Sequence, residues 1–139
     1  MALTDSNPIP LHSVAPEFQL KNVVTDQWIS LPKQNEFKAT VIMFICNHCP
    51  YVIHVNPELI RLANDYMHKG VRFIAISSND VTHYPDDSPE LMLVNAKQLN
   101  YPFPYCYDES QEVARAYDAA CTPDFYVFNA ELKLAYHGR

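Results

Sequence analysis

Two thiols stand out by their spacing. Cys46 and Cys49 are separated only by Asn47 and His48 in the run Phe44-Ile-Cys-Asn-His-Cys-Pro-Tyr51. Thiols two residues apart suit disulfide exchange or soft-metal binding, and an imidazole beside one of them can hold a thiolate or move a proton near pH 7. The plainer alternatives are a cysteine that packs as a small apolar side chain and a histidine exposed on a loop. Pro50 distinguishes the roles of the two thiols. Proline is favoured at the first helical position, so a helix opening at Pro50 makes Cys49 its cap residue. The Cys49 sulfur would then sit against unpaired N–H groups and the positive end of the helix dipole. A helix starting directly after Cys46 would put Pro50 where a backbone donor is needed. Cys49 is therefore expected to be the reactive thiol. Cys46 is expected to end a strand and gain no backbone donor. Three extended residues hold two α-carbons about 10 Å apart, beyond the roughly 7 Å limit for a disulfide, so a Cys46–Cys49 bond needs a turn at Asn47-His48.

The elements that must position these thiols are legible in the apolar runs. Thr40–Ile45, Val71–Ile76 and Asp124–Phe128 lack polar alternation, as central strands covered on both faces do. Pro50 to Lys69 carries a helical stripe of Val52, Leu59, Ile60, Leu62, Ala63 and Met67, with Gly70 placed to cap it. Ser88-Pro89-Glu90 supplies a cap residue, a proline at the first helical position and an early acid. Asp108-Glu-Ser-Gln111 reads as a capping box that opens a helix to Tyr117. Lys133–His137 returns as an antiparallel edge, and Phe18, Leu20, Trp28 and Leu31 suggest a small N-terminal hairpin. Strand, helix, strand, helices, strand is an α/β order with a partly parallel sheet in a single domain over residues 1–139, of which 1–14 form an N-terminal extension.

Composition excludes several classes. A chain of 139 residues with 48% hydrophobic and 19% charged residues is neither disordered nor fibrous. Ten Lys and Arg against sixteen Asp and Glu give a formal charge of −6. With no basic run, nucleic-acid and polybasic membrane partners are not expected. Only Gly70 and Gly138 are glycines, which removes the phosphate-binding glycine loops. The N-terminus lacks the charge and apolar pattern of a signal peptide, so a soluble cytoplasmic protein is expected. In a reducing compartment four cysteines mean metal or redox chemistry more often than structural disulfides.

Ala15-Pro-Glu-Phe-Gln-Leu20, the strand running into Phe-Ile-Cys-Asn-His-Cys-Pro-Tyr-Val52, and Ala120-Cys-Thr-Pro-Asp-Phe125 together resemble the thioredoxin superfamily. More narrowly they resemble the branch of the alkyl hydroperoxide reductase/thiol-specific antioxidant proteins, over roughly residues 15–139. The resemblance implies a thioredoxin-like α/β fold with a central mixed sheet flanked by helices. Pro57, eight residues after Cys49, matches the kinking proline of thioredoxins. In that register Cys49 matches their nucleophilic cysteine. Val52 stands at the second, the place where peroxiredoxins carry the peroxidatic thiol. Thr122-Pro123 matches the cis-proline that faces the active cysteine, so Thr122, Pro123 and Pro50 are expected to present backbone and surface to substrate.

The implied function is a thiol–disulfide oxidoreductase that acts on a protein or small-molecule thiol or disulfide. Cys49 is its nucleophile, Cys46 or Cys121 resolves the intermediate, and His48 assists the thiolate. A peroxiredoxin-like peroxidase using Cys49 is one alternative, and a Cu/Zn metallochaperone is the other. The second would draw on Cys46, His48, Cys49 and His54, with His83 as a distant ligand. No metal or cofactor is expected in the leading reading. Cys106, inside Phe103-Pro-Tyr-Cys-Tyr107, is expected to point into a core. The sequence stops at Arg139 directly after the candidate edge strand. A thioredoxin-type C-terminal helix is thus expected to be missing, through truncation or replacement by a partner chain, with association of copies through the uncovered face.

Overall fold

The computed structural model describes residues 6–31 and 36–138. Strand β1 (Phe18–Lys21) pairs antiparallel with β2 (Trp28–Leu31) as a separate hairpin, as the short apolar alternations suggest. The main sheet contains β3 (Ala39–Phe44), β4 (Val71–Ser77), β5 (Tyr105–Tyr107), β6 (Asp124–Phe128) and β7 (Leu134–Gly138) in the order β5-β4-β3-β6-β7. Parallel pairing joins β3 to β4 and β4 to β5. Antiparallel pairing joins β3 to β6 and β6 to β7. The three apolar runs are thus the three central strands.

Alternation along these strands builds two cores, because successive side chains leave opposite faces of a sheet. Ile42, Phe44, Ile74, Ile76, Tyr126 and Phe128 enter one, where Phe18 and Leu31 of the hairpin and Tyr117 close over them. Met43, Ile45, Phe73 and Ala75 enter the other. There Val52 and Ala63 of helix α1 (Pro50–Met67) and Met92 and Ala96 of helix α2 (Pro89–Leu99) cover them. Cys106 is fully buried in the hairpin-side core, as expected. Toward β6, Phe125 and Val127 on the α1 side are only half-buried.

The helix starts follow their signals with one exception, and α1 ends at Met67 with His68 as its cap residue, two residues ahead of the expected Gly70. Pro50 opens α1 and Pro57 lies inside it. Gly70 adopts φ +87°, where an added Cβ would press to 3.3 Å from the Lys38 side chain, so glycine is required at this turn. Ser88 caps α2 by accepting from the Leu91 N–H, and Asn100 ends it in the left-handed region. The exception is the Asp108–Gln111 capping box. Helix α3 spans only Glu112–Ala116, and its cap residue is Gln111 itself, at φ 63°. The Gln111 side chain donates instead to the Ser78 carbonyl at 2.8 Å. Buried Asp108 still satisfies the helix start, accepting from the N–H of Ala114 at 2.9 Å and of Val113 at 3.4 Å. A tertiary acceptor outcompeted the local box.

The N-terminal segment is tied down from Ser6 onward; the first five residues of the extension lie outside the described residues. His12 and Ala15 donate backbone bonds to Leu134 and Leu132, and Val14 bridges to Lys133. Ser6 Oγ donates to Asp124 Oδ1 at 2.7 Å. Among the described residues no helix is long and apolar enough to cross a membrane.

Candidate functional site

The site forms where the C-terminal end of β3 meets α1. After Phe44 the chain bends at Asn47-His48 rather than running extended, which is the turn that contact between Cys46 and Cys49 requires. Asn47 clamps the bend. Its N–H donates to Asp87 Oδ1 at 2.7 Å, its side-chain amide donates to the Asp86 carbonyl, and its Oδ1 accepts from the Tyr105 hydroxyl at 2.9 Å.

Cys49 is the cap residue of α1, with φ −68° and ψ 122° ahead of Pro50 at the first helical position. Its side chain makes no cap hydrogen bond, contrary to the expectation that the helix N–H groups embrace this sulfur. The thiol lies instead 3.5 Å from the Thr122 carbonyl, to which it donates. The expectation for Cys46 is corrected as well. Because the chain bends, the Cys46 sulfur meets the Cys49 backbone N–H, and it lies 3.6 Å from Thr122 Oγ1. Burial nevertheless dominates and pushes the Cys46 thiol up to about 11. The Thr122 hydroxyl and the Cys49 N–H pull it down, and the Asp87 carboxylate pushes it further up.

Thr122 thus meets both thiols, one through its carbonyl and one through its hydroxyl. The Thr122–Pro123 peptide bond is cis, as the sequence resemblance implied. Cys121 is buried, its sulfur 3.7 Å from Ser6 Oγ and from the Pro123 carbonyl, so it faces the Asp124 side of the loop. A cleft of about 330 Å³ opens beside it, bordered by Phe44, Asn79, Gln111, Arg115 and Thr122. No disulfide links the four cysteines. Pro50, at the mouth of the site, is exposed.

His48 is engaged by a partner the sequence reading missed. Its Nδ1 lies 2.5 Å from Asp87 Oδ2, and its ring stacks on Tyr84 with centroids 5.0 Å apart. Asp87 is completely buried and also accepts from the Asn79 side-chain amide at 2.7 Å. Cys46, His48 and Asp87 bring a sulfur, a ring nitrogen and a carboxylate oxygen within 4.8 Å of one another. The cation set expected from His54 and His83 does not assemble among the described residues. His54 is exposed on α1, and His83 is exposed and pairs with Asp80 on its own loop. Asp87 gave no signal of its own, because an acid in a polar stretch reads as solvated.

The sheet order, the cap cysteine before α1 and the cis-proline loop opposite it define a thioredoxin-superfamily protein with the fold of the thiol–disulfide oxidoreductases. The chain belongs to the AhpC/TSA family, whose model matches residues 11–137. None of the curated proteins matches the chain. Among solved structures, it is similar to an uncharacterised conserved protein from Geobacillus kaustophilus, with 60% identity and a TM-score of 0.94 over 98% of this chain and 72% of that one. A hypothetical protein from Sinorhizobium meliloti 1021 shares 38% identity, with a TM-score of 0.93 over 98% of this chain and 74% of that one. The thioredoxin domain of a thiol-disulfide oxidoreductase from Bacteroides vulgatus shares the fold at 18% identity, with a TM-score of 0.76 over 94% of this chain and 89% of that one.

Proposed function

We propose that the protein exchanges disulfides with a protein or small-molecule thiol partner, using Cys49 as the nucleophile and Cys46 to resolve the intermediate. The observation that carries this reading is the shared contact of both thiols with Thr122, at 3.5 Å for Cys49 and 3.6 Å for Cys46. In the reducing direction the Cys49 thiolate attacks one sulfur of the substrate disulfide. A Cys49–substrate bond forms, and the other substrate sulfur leaves with the electron pair and takes up a proton. Cys46 then attacks the Cys49 sulfur, releasing the second substrate thiol and leaving a Cys46–Cys49 disulfide. One disulfide is reduced and one is formed.

The high Cys46 pKa suits the second role, since a thiol held protonated at pH 7 does not compete for substrate. His48, oriented by Asp87 and Tyr84, serves as the proton carrier beside Cys46. Cys121, directed toward the Ser6 side, is the second candidate for resolution. Val52, fully buried, occupies the peroxidatic position of the peroxiredoxin register and offers no thiol there. A reducing, cytoplasmic setting is part of this reading, since four cysteines without a secretion pattern suit redox chemistry more than structural disulfides.

Mass spectrometry of thiol connectivity after oxidation with one equivalent of glutathione disulfide tests the reading. A Cys46–Cys49 bond is expected, with a glutathione adduct trapped on Cys49 in the Cys46→Ser variant. Cys49→Ser should abolish rapid iodoacetamide labelling at pH 7, whereas Cys46→Ser should leave most of it. An adduct that forms on Cys46 in the Cys49→Ser variant at the wild-type rate would reject the assignment.

A further inference from the structure

The cluster behind the bend holds more donors than thiol exchange uses. Three segments converge on it: the coil after β3 brings Cys46, the bend before α1 brings His48, and a 3₁₀ turn over Pro85–Asp87 brings Asp87. Asp87 is fully buried, and among the described residues no lysine or arginine pairs with it. Its partners are the Asn47 N–H, the Asn79 amide and His48. A buried carboxylate without a fixed cation is costly, and here it faces a thiol and an imidazole. Sulfur, imidazole nitrogen and carboxylate oxygen together form the donor set of a borderline-soft divalent cation.

We propose that Cys46 Sγ, the His48 ring and the Asp87 carboxylate form a zinc-type divalent metal site with three protein ligands and an open fourth position. On binding, the Cys46 proton passes to solvent and the sulfur ligates as thiolate; the proton between His48 Nδ1 and Asp87 Oδ2 is released too, to solvent or to an unprotonated His48 Nε2, and that hydrogen bond is replaced by two metal–ligand bonds. Zinc bond lengths of about 2.0–2.3 Å imply donor separations of roughly 3.3–3.6 Å around a tetrahedron. The present spread, up to 4.8 Å, exceeds that separation by about 1.2–1.5 Å, a shift that side-chain rotation can supply. The Asn79 amide and the Asn47 N–H remain on the carboxylate and hold its orientation, as outer partners of metal ligands do. The site rests on its own geometry and requires no role for Cys49. While an ion occupies it, Cys46 is a ligand and is withdrawn from disulfide formation.

The test is titration of the full, phosphine-reduced chain with Co²⁺ under exclusion of oxygen, followed by competition with Zn²⁺. One equivalent is expected to bind, with sulfur-to-cobalt charge-transfer absorption and the intense visible bands of a tetrahedral ion, and Zn²⁺ should displace it. Cys46→Ser should abolish the charge-transfer band, and Asn79→Ala should weaken binding about tenfold. His48→Ala, checked for folding by circular dichroism, should weaken it at least as much. Cys49→Ser should leave the spectrum unchanged, which separates this site from the exchange chemistry of Cys49. No saturable Co²⁺ binding, weak bands of six-coordinate cobalt, or a charge-transfer band lost in Cys49→Ser but kept in Cys46→Ser would each overturn the proposal.

Discussion

The Cys49 thiol donates to the backbone carbonyl of Thr122 across 3.5 Å, while the hydroxyl of the same threonine lies 3.6 Å from the Cys46 sulfur. One residue of the cis-proline loop therefore meets both members of the pair, each through a different group. The carbonyl is fixed by the backbone, whereas the hydroxyl can be removed without disturbing it.

Thr122→Val is accordingly expected to act on Cys46 alone. The hydroxyl pulls the Cys46 thiol down, so its loss moves that thiol further up from about 11 and leaves less thiolate at pH 7. A hydrogen bond worth about 0.5–1.5 kcal/mol predicts roughly a 2- to 10-fold slower closure of the Cys46–Cys49 disulfide. Rapid-quench alkylation with mass spectrometry measures it, and Cys49 labelling should stay at the wild-type rate. Unchanged closure would remove Thr122 from the resolving step.

Asp87→Ala should destabilise the fold by about 2–4 kcal/mol, because the Asn47 N–H, the Asn79 amide and His48 all lose their acceptor in a buried setting. The drop should appear as a lower urea midpoint at an unchanged slope. A loss below about 0.5 kcal/mol would mean that water replaces the carboxylate without cost.

Alkaline pH should unfold the protein earlier than its carboxylates would suggest. Burial pushes the Cys106 thiol from 9.0 to about 12, and it pushes the Tyr101 hydroxyl from 10.0 to about 12. Between these values the unfolded chain has released protons that the folded one retains, so stability falls as pH rises. It is intact below pH 9 and declines through pH 12, with Cys106 accounting for at most roughly 4 kcal/mol of the change. Denaturation midpoints from pH 8 to 11 test this, and Cys106→Ala should flatten the decline.

Ser6→Ala should loosen the N-terminal segment at a cost of about 1 kcal/mol, since Ser6 Oγ is one of the donors to the fully buried Asp124 carboxylate. His137 Nε2, at 2.9 Å, and the Tyr126 hydroxyl, at 3.3 Å, also engage it and keep the carboxylate bonded. Limited proteolysis should then cut ahead of His12 faster than in the wild type. Equal cutting rates would show that the backbone bonds of His12 and Ala15 hold the segment by themselves.

Burial on both faces forces continuous apolar runs, which is why β3, β4 and β6 could be read from Thr40–Ile45, Val71–Ile76 and Asp124–Phe128. Proline chemistry did the same for the start of α1, because proline is favoured at the first helical position, and Pro50 there made Cys49 the cap residue. Local rules stop where partners are distant. The parallel register of Phe44 with Ile76 lays the loop after β4 over the bend at Asn47-His48, and so Asp87 reaches His48 from 39 positions away. The antiparallel register of Phe44 with Asp124 sets Thr122 against both thiols. The direction of each cysteine sulfur, the buried acid that orients the histidine and the displacement of the Asp108 capping box by the Ser78 carbonyl all depend on that strand pairing. Hydrogen-bond geometry is a property of positions in space, and only the folded sheet brings those positions together.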